Sequence, residues 1–480
     1  MMNYYKRKSF AVIVLLGIFV FSCKSGKQLG NSGKKLPNII FLIADDAGYG
    51  DLGCYGQQKF ATPNLDRMAA EGMRFTAHYA GATVCAPSRS SLMTGLHTGH
   101  TPIRGNKGME PEGQMPLPDG TMTLAMLMQQ AGYVTGGFGK WGLGGPGSTS
   151  TPEQKGFDLF FGYNCQSLAH NYYPEYLWRN DVKVFQPGNA GNGTGQYSFD
   201  VIHKEALQFI GDHRKEPFFL FLPYTVPHAE LLAPDDKLLQ QFAGKFEETP
   251  YKGIDEGPTY RKGPYGSQTQ PRATFAAMMT RLDNSVGDIL NALKKYGLDE
   301  NTLFIFTSDN GPHKEGGADP DFFDSNGPYK GYKRDLYEGG IRVPMIARWP
   351  GTIGKGSTTG HISAFWDWLP TFCQLANRSV PEGIDGLSLV PTLLNRPGQP
   401  QHPYLYWEFY EQGGRQAVRM GPWKGIRQNV AKDPNSALEL YNLDQDPGEN
   451  NNVAAQHPDI ILQMETLMKE AHVPSEDWKW

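Results

Sequence analysis

Short runs of apolar residues alternate with amphipathic stretches along most of the chain. Three of these runs, at residues 39–44, 218–222 and 303–306, are rich in β-branched or aromatic side chains. Such runs are typical of strands that are buried on both faces of a sheet. Residues 274–296 instead carry apolar side chains at steps of three and four, which predicts a helix that ends at Gly297. The alternation predicts an α/β fold in which helices flank a central sheet.

The pattern changes after about residue 396. Three short segments with strand character follow, and then a helical stretch from about residue 457 to 472. These segments predict a small antiparallel sheet with one helix packed on it. We therefore expect a large domain over residues 37–396 and a C-terminal subdomain over residues 397–480.

The first 23 residues have the pattern of an export signal. Lys6-Arg7-Lys8 precede an apolar run at residues 10–21, which is too short to predict a membrane-spanning helix. Residues 20–23 resemble a bacterial lipobox, which implies that Cys23 carries a lipid anchor in an exported, periplasmic lipoprotein. A plain cleaved signal peptide is the alternative. Residues 24–36 are rich in Gly, Ser and Lys, which predicts a flexible tether.

The composition narrows the class of protein. With 480 residues and a formal net charge of -4, the chain can bury an ample core. It lacks the excess of positive charge that is typical of nucleic-acid binding. Its five cysteines are widely spaced and form no Cys-x-x-Cys pair, which argues against a zinc site. We therefore expect neither a nucleic-acid partner nor zinc.

Residues 85–95 place a thiol and a guanidinium four positions apart at the start of a predicted helix. Pro87 suits the first turn of a helix, because its φ is fixed and it has no backbone N–H to satisfy. The free N–H groups and the positive dipole end of that helix attract an anion towards Cys85. Together with Arg89 this predicts a catalytic site, whereas a lone cysteine would indicate a buried packing residue.

Two pairs of oxygen-bearing side chains each follow a predicted strand. Asp45-Asp46 come after the first apolar run, and Asp309-Asn310 come shortly after the last. Adjacent buried carboxylates repel each other unless a cation lies between them. Oxygen ligands without a His or Cys cluster favour calcium, with magnesium as the second choice. The alternative is that each pair caps a helix or a turn.

Residues 85–95 match the signature Cys-x-Pro-Ser-Arg followed by Leu-x-Thr-Gly, and from about residue 36 the chain resembles the arylsulfatase A-like sulfatases. The resemblance implies an alkaline-phosphatase-like sandwich with a large mixed central sheet and a small C-terminal antiparallel sheet. It implies that a maturation enzyme oxidises Cys85 to formylglycine (3-oxoalanine). It also implies that the formylglycine at position 85 and both acidic pairs hold the metal.

The resemblance assigns further roles within the predicted site. Lys140 and Lys333 match two lysines that stabilise the sulfate, and His228 matches the histidine that protonates the leaving oxygen. At residue 142, however, this chain has glycine where the family usually has histidine. His170 and His313 are expected to bind substrate, and His170 is a candidate to compensate for the missing histidine.

The resemblance implies a sulfatase of a bacterial carbohydrate-degrading subgroup. The expected substrate is a glycan with a terminal 4-O-sulfated galactose or N-acetylgalactosamine, cleaved in exo fashion. Two alternatives remain open from sequence. One is a phosphate or phosphonate monoester hydrolase of the same superfold. The other is an unmatured lipoprotein that binds sulfated glycans without cleaving them.

Overall fold

The computed structural model describes residues 1–2, 35–110, 112–257 and 259–480. Nearly all of the predicted signal peptide, the predicted lipidation site Cys23 and most of the predicted tether lie outside these residues. No helix in the described part of the chain has the length and apolar character needed to cross a bilayer. The domain boundary near residue 396 stays a prediction.

Strands and helices alternate over the first three quarters of the chain, as the apolar pattern predicts. The strands are β1 (Asn38–Asp45), β2 (Met73–Phe75), β3 (His78–Tyr79), β4 (Gly108–Met109), β5 (Gly113–Gln114), β6 (Val134–Lys140), β7 (Leu159–Tyr163), β8 (Tyr176–Arg179), β9 (Val182–Phe185), β10 (Phe218–Pro227), β11 (Thr302–Ser308), β12 (Met345–Arg348), β13 (Ser357–Thr359), β14 (Ser363–Ala364), β15 (Leu405–Phe409), β16 (Arg415–Met420), β17 (Trp423–Gln428) and β18 (Leu438–Asn442). The helices are α1 (Pro63–Glu71), α2 (Cys85–Thr94), α3 (Leu124–Gln130), α4 (Ser198–Asp212), α5 (Lys237–Gln240), α6 (Pro271–Lys295), α7 (Pro320–Phe323), α8 (Glu338–Ile341), α9 (Trp368–Leu375), α10 (Val390–Leu393) and α11 (Pro458–Ala471).

A large mixed sheet forms the centre of the fold, in the order β13-β2-β12-β11-β1-β10-β6-β7-β8-β9. Strand β1 pairs in parallel with both β10 and β11, and β6 pairs in parallel with β10 and β7. Strands β12, β8 and β9 run antiparallel to their neighbours. Parallel neighbours bring their carboxyl ends to one edge, so the polar residues that follow β1, β6, β10 and β11 meet there.

The central strands are covered on both faces. Ile40 and Leu42 of β1 belong to a core that includes α4 and α6, while Ile39 and Phe41 belong to a core that includes α3 and α9. Every residue of β1, β10 and β11 is buried. This agrees with their near-continuous apolar sequences. The predicted α/β architecture with a mixed central sheet and flanking helices is confirmed.

Strand β6 is longer than the sequence suggests, because it runs through three glycines. A Cβ at Gly136 would approach the ring of Phe209 to 2.8 Å, and a Cβ at Gly139 would lie 2.0 Å from the carbonyl oxygen of Pro223. The glycines therefore let β6 pack closely against its neighbours. They do not end the strand, and β6 carries Lys140 to the edge of the sheet.

The C-terminal region contains the predicted small antiparallel sheet and its helix. Strands β15, β16, β17 and β18 pair antiparallel in chain order, and α11 packs on β16 through Met464 and Val418. Strand β17 does not stand out in the sequence, because Lys424 and Gly425 interrupt its apolar pattern. Lys424 is nevertheless fully buried.

Candidate active site

The residues predicted to carry the chemistry meet at the carboxyl edge of the central sheet. Asp45 ends β1, Lys140 ends β6, His228 follows β10, and Asp309 follows β11. Cys85 is the first residue of α2, so the N-terminal end of that helix faces the same edge. We call the buried charged group around Cys85 the active-site cluster. Its members are Asp45, Asp46, Arg89, Lys140, Asp309 and Lys333.

Cys85 lies against the two aspartates that follow β1. Its Sγ is 3.1 Å from Asp45 Oδ1 and 4.0 Å from Asp46 Oδ1. Burial, followed by the negative charge of Asp45, raises the pKa of the Cys85 thiol well above its usual range. A protonated thiol is a weak nucleophile, so the unmodified cysteine is poorly suited to attack an ester.

Arg89 lies one helical turn after Cys85 and binds the opposite strand end. Its Nε and Nη2 lie 3.1 and 2.8 Å from Asp309 Oδ2, and Nη2 is 3.7 Å from Asp45 Oδ2. Its Nη1 donates to the carbonyl oxygen of Lys140. Lys140 Nζ in turn contacts Asp45 Oδ2. The two cations thus join β1, β6, β11 and α2 at the position of Cys85.

The four residues predicted to hold a metal lie next to one another: Asp45, Asp46, Asp309 and Asn310. The backbone N–H of Asp46 donates to Asp309 Oδ1 at 3.2 Å, and Asn310 Nδ2 donates to Asp46 Oδ1 at 2.6 Å. Ligand atoms of Asp45, Asp46, Cys85 and His228 all lie within 4.8 Å of one another. Asn310 Oδ1 is buried and accepts no hydrogen bond from any described residue.

The charges of these carboxylates also fit a divalent cation. Burial and the nearby charge of Asp45 raise the pKa of Asp309 to about 7. Burial acts against Asp45 too, but Lys140, His228 and Arg89 outweigh it and hold the pKa of Asp45 below its usual range. A cation would relieve the remaining repulsion, and the free carbonyl oxygen of Asn310 is a suitable ligand for it.

Lys333 forms a second group with His228 on the far side of Asp46. Its Nζ is 2.8 Å from Asp46 Oδ2, 2.9 Å from His228 Nε2 and 3.1 Å from Glu315 Oε2. Nδ1 of His228 contacts the carbonyl oxygen of Ala229. We assign the ring proton to Nδ1 on that basis, so Nε2 accepts a hydrogen bond from Lys333.

The two histidines expected to bind substrate lie on either side of His228. His170 stacks on it with ring centroids 4.8 Å apart, and His313 stacks with centroids 5.4 Å apart. Nδ1 of His170 also lies 3.0 Å from the carbonyl oxygen of Gly263. The structure therefore brings both histidines to the site, where they orient His228. Their contact with substrate stays a prediction.

Two polar residues near the site were given no role from the sequence. Glu315 binds Lys333 and Arg334, and it accepts a hydrogen bond from the Tyr265 hydroxyl at 2.8 Å. The side chain of Gln166 occupies the space beside Gly142. Glu315 lies in a loop without a motif, so the sequence carries no signal for it. For Gln166 the signal is the glycine at residue 142, which indicates that another residue fills the place of the family histidine.

The chain matches known proteins over nearly all of the described residues. A family model described as Sulfatase matches residues 37–378, and one described as N-sulphoglucosamine sulphohydrolase, C-terminal, matches residues 328–473. The chain belongs to the sulfatase family. As a member of this family it is a sulfuric ester hydrolase, as the sequence predicts.

Curated relatives and solved structures support this membership. Arylsulfatase A of Homo sapiens is 33% identical over 90% of this sulfatase and 87% of its own length. N-acetylgalactosamine-6-O-sulfatase of Bacteroides thetaiotaomicron is 28% identical over 93% and 95% of the two chains. The solved structure of Ps i-CgsB in complex with k-i-k-neocarrahexaose superposes with a TM-score of 0.76 at 28% identity, covering 92% of this chain and 94% of that one.

Proposed function

We propose that this sulfatase hydrolyses sulfate esters of carbohydrates through a formylglycine made from Cys85, with a divalent cation at Asp45, Asp46, Asp309 and Asn310. The observation that carries the proposal is the position of Cys85 at the start of α2, with its Sγ 3.1 Å from Asp45 Oδ1. Calcium is the expected ion, because oxygen ligands in an irregular cage suit its flexible geometry.

A hydrated formylglycine at position 85 would supply an oxygen nucleophile and could later release sulfate by re-forming its carbonyl. A divalent cation would supply positive charge that favours binding of the sulfate oxygens. Arg89 holds Asp309 in place, and the N-terminal end of α2 favours an anion beside position 85. Lys140 and Lys333 add positive charge on either side of the aspartates.

The leaving oxygen of a sugar needs a proton, and the Lys333–His228 pair lies where this proton can be delivered. With Nδ1 of His228 facing the Ala229 carbonyl oxygen, Nε2 has no proton of its own to give in the neutral ring. Lys333 Nζ donates to this Nε2 at 2.9 Å. We therefore assign the proton to the pair: Lys333 Nζ gives a proton to Nε2 of His228, and His228 passes a proton from Nε2 to the sugar oxygen, which leaves Lys333 as the neutral amine.

The sugar and the position of the sulfate are part of the proposal. The sequence predicts 4-O-sulfated galactose or N-acetylgalactosamine, acted on from the chain end. Several curated relatives are instead N-acetylgalactosamine-6-sulfatases, including the enzyme from Canis lupus familiaris at 32% identity over 88% of this chain. A second solved structure, with a TM-score of 0.71, holds D-glucosamine-2-N,6-O-disulfate as its substrate. These names favour 6-O-sulfated N-acetylgalactosamine as the second candidate.

The cellular setting follows from the N-terminal pattern and stays a proposal. The lipobox-like residues 20–23 support a periplasmic lipoprotein anchored through Cys23. An exported sulfatase also needs a maturation enzyme that acts on Cys85. Sulfated glycans outside the cytoplasm are then the accessible substrates.

The proposal is tested by two measurements on the matured protein. The first is the mass of the peptide that contains residue 85, where an aldehyde is expected in place of the thiol. The second is sulfate release from galactose, N-acetylgalactosamine and glucosamine derivatives that carry one sulfate at O2, O3, O4 or O6. Release from galacto-configured compounds at O4 or at O6 decides between the two candidates.

Matched phosphate esters are the control for the alternative hydrolase. A solved phosphonate monoester hydrolase from Agrobacterium radiobacter shares the fold at 21% identity and a TM-score of 0.64. Faster hydrolysis of phenyl phosphate or phosphonate than of phenyl sulfate would contradict the sulfatase proposal. A thiol that persists at residue 85 in a protein that binds sulfated glycans would favour the binding lipoprotein.

A further inference from the structure

The side chain of Gln166 fills the space in which a side chain at Gly142 would lie. Gly142 follows β6 with a φ of +76°, and its N–H donates to the carbonyl oxygen of Asn164 at 3.0 Å. A Cβ built at Gly142 would lie 2.2 Å from Gln166 Nε2, far inside van der Waals contact. The side chain of Gln166 therefore fills the position that any side chain at residue 142 would need.

The side chain of Gln166 is buried, and its Nε2 has no hydrogen-bond partner in the described part of the chain. The residue is 7% exposed. Asn164 Oδ1, two residues earlier, is buried and likewise accepts no hydrogen bond from the described residues. Buried polar groups of this kind are rare in folded proteins, because each loses its hydrogen bonds to water. A polar ligand that reaches this segment would satisfy them.

Residues near Gln166 and Gly142 in the chain tie this segment to the active site. Lys140, two residues before Gly142, contacts Asp45 next to Cys85. His170, one short helical turn after Gln166, stacks on His228. The segment that carries Gln166 thus joins the Lys140 side of the site to the His228 side.

We propose that Gln166 is a substrate-binding residue whose Nε2 donates a hydrogen bond to an oxygen of the sulfate group, from the position that Gly142 leaves open. A sulfate ester carries no proton at neutral pH, so its oxygens only accept hydrogen bonds, and the free N–H of a carboxamide matches them. The contact adds no charge to a cluster that already holds three cations, and it does not change with pH. The inference rests on the proposed function, in that the ligand is the sulfate of that substrate.

The direct test is binding of inorganic sulfate to the unmatured protein in the presence of calcium, measured by titration calorimetry. Gln166→Ala is expected to weaken sulfate binding by about tenfold or more, as is usual for a lost hydrogen bond to a charged group. Gln166→Glu keeps the shape of the side chain, and it should weaken binding further because the carboxylate repels sulfate. Gln186→Ala is the matched control, since Gln186 is equally buried but its Nε2 donates to the Val184 carbonyl oxygen at 2.7 Å. It should leave sulfate binding unchanged.

A double-mutant cycle separates this contact from a purely structural role. Gly142→Ala puts a methyl group against Nε2, so it should weaken sulfate binding in the parent protein and add little in the Gln166→Ala background. In the matured enzyme, Gln166→Ala should raise KM for p-nitrophenyl sulfate and for the sulfated sugar by the same factor.

Two results would overturn the inference. One is unchanged sulfate binding in Gln166→Ala, and the other is a loss confined to the sugar substrate, which would assign Gln166 to the sugar. Because the calorimetry needs no turnover, failure of the proposed substrate in the activity panel leaves this test intact.

Discussion

Two clusters of buried charges in this sulfatase are built from similar residues and differ in what surrounds them. Beside the active-site cluster lie Cys85 and the carboxamide oxygen of Asn310, which accepts no hydrogen bond from the described residues. The second cluster, which we call the C-terminal cluster, consists of Glu338, Lys424 and Glu449. It joins α8 to β17 and to the loop after β18.

The C-terminal cluster places one lysine between its two carboxylates. Lys424 Nζ lies 2.9 Å from Glu338 Oε1 and 3.1 Å from Glu449 Oε1. Glu338 Oε2 accepts hydrogen bonds from the Tyr79 hydroxyl at 2.6 Å and from Arg342 Nη1 at 3.0 Å. A buried ionic group that is closed in this way holds elements together. The active-site cluster instead leaves binding capacity for a cation and an anion, which is what a catalytic site requires.

The largest effect should follow from removing the thiol that becomes the nucleophile. Cys85→Ala is expected to lower sulfate release by at least about 10⁴-fold while the fold survives, since only a small side chain is lost. Rates of sulfate release and melting temperatures check this. Cys373→Ala removes an equally buried thiol from the core behind the sheet and should keep its activity. Comparable rates in Cys85→Ala and the parent would exclude position 85 from the reaction.

Removal of the cation tests the metal-binding role of the active-site cluster. Protein freed of metal by a chelator should lose about a hundredfold or more in kcat, because the positive charge that offsets the aspartates is gone. Its melting temperature should fall as well, since a ligand that binds only the folded state stabilises it. Calcium is expected to restore both more fully than magnesium. Full activity in protein shown to be metal-free by elemental analysis would contradict this.

A substitution in the C-terminal cluster should lower the stability of the protein and leave the rate of sulfate release unchanged. Lys424→Met leaves Glu338 and Glu449 buried without their common cation, which should lower the free energy of unfolding by about 3–5 kcal/mol. Activity per folded molecule should stay at the parent value. Lys432→Met, at an exposed lysine in the turn after β17, is the control and should change neither quantity. A large loss of kcat at unchanged stability would show that the two clusters are not separate in role.

The sequence predicts the active-site cluster better than the C-terminal cluster, for a physical reason. Asp45, Lys140 and Asp309 each end or follow a strand of the central sheet, and parallel pairing alone brings such residues together. Lys424 lies in the middle of β17, and its burial depends on Glu338 and Glu449, which are distant in the chain. No local pattern reports such a contact, so β17 and the cluster are both missed.

The same distinction applies inside the active site. Glu315 is held by Lys333 and Arg334 from a loop whose path depends on tertiary packing. Gln166 became visible only through the space beside Gly142, although the glycine itself was an anomaly in the sequence. The reacting groups can therefore be predicted from motifs and strand ends. The residues that position them become apparent only in the folded structure.

A smaller effect is expected at His228, and it depends on the leaving group. His228→Gln should lower kcat for a sulfated sugar by about a hundredfold, because the sugar oxygen leaves with a proton. Hydrolysis of p-nitrophenyl sulfate should fall far less, since p-nitrophenolate leaves without one. Comparison of the two rates in each variant is the measurement, with His203→Gln as the control, because His203 binds the Tyr224 hydroxyl away from the cluster. Equal losses on both substrates would remove His228 from proton transfer.

The smallest effect concerns the pH dependence of stability, and it comes from the C-terminal cluster. Burial raises the pKa of Glu449 to about 7, with Lys424 acting in the opposite direction. Between pH 5 and 7 the folded protein therefore keeps a proton on Glu449 that the unfolded chain has lost. Stability contributed by this group is present at low pH and declines as the pH rises through that window.

Glu449→Gln should abolish this decline, because the amide does not titrate and its oxygen can still accept the backbone N–H of Glu338, 2.6 Å away in the parent. The free energy of unfolding of the variant relative to the parent should rise by about 2 kcal/mol from pH 5 to pH 8. Urea denaturation at both pH values measures the difference, and Glu470→Gln on the exposed face of α11 is the control. A variant that loses relative stability as the pH rises would mean that Glu449 is charged in the folded protein. The C-terminal cluster would then hold two carboxylates on one lysine, and its contrast with the active-site cluster would disappear.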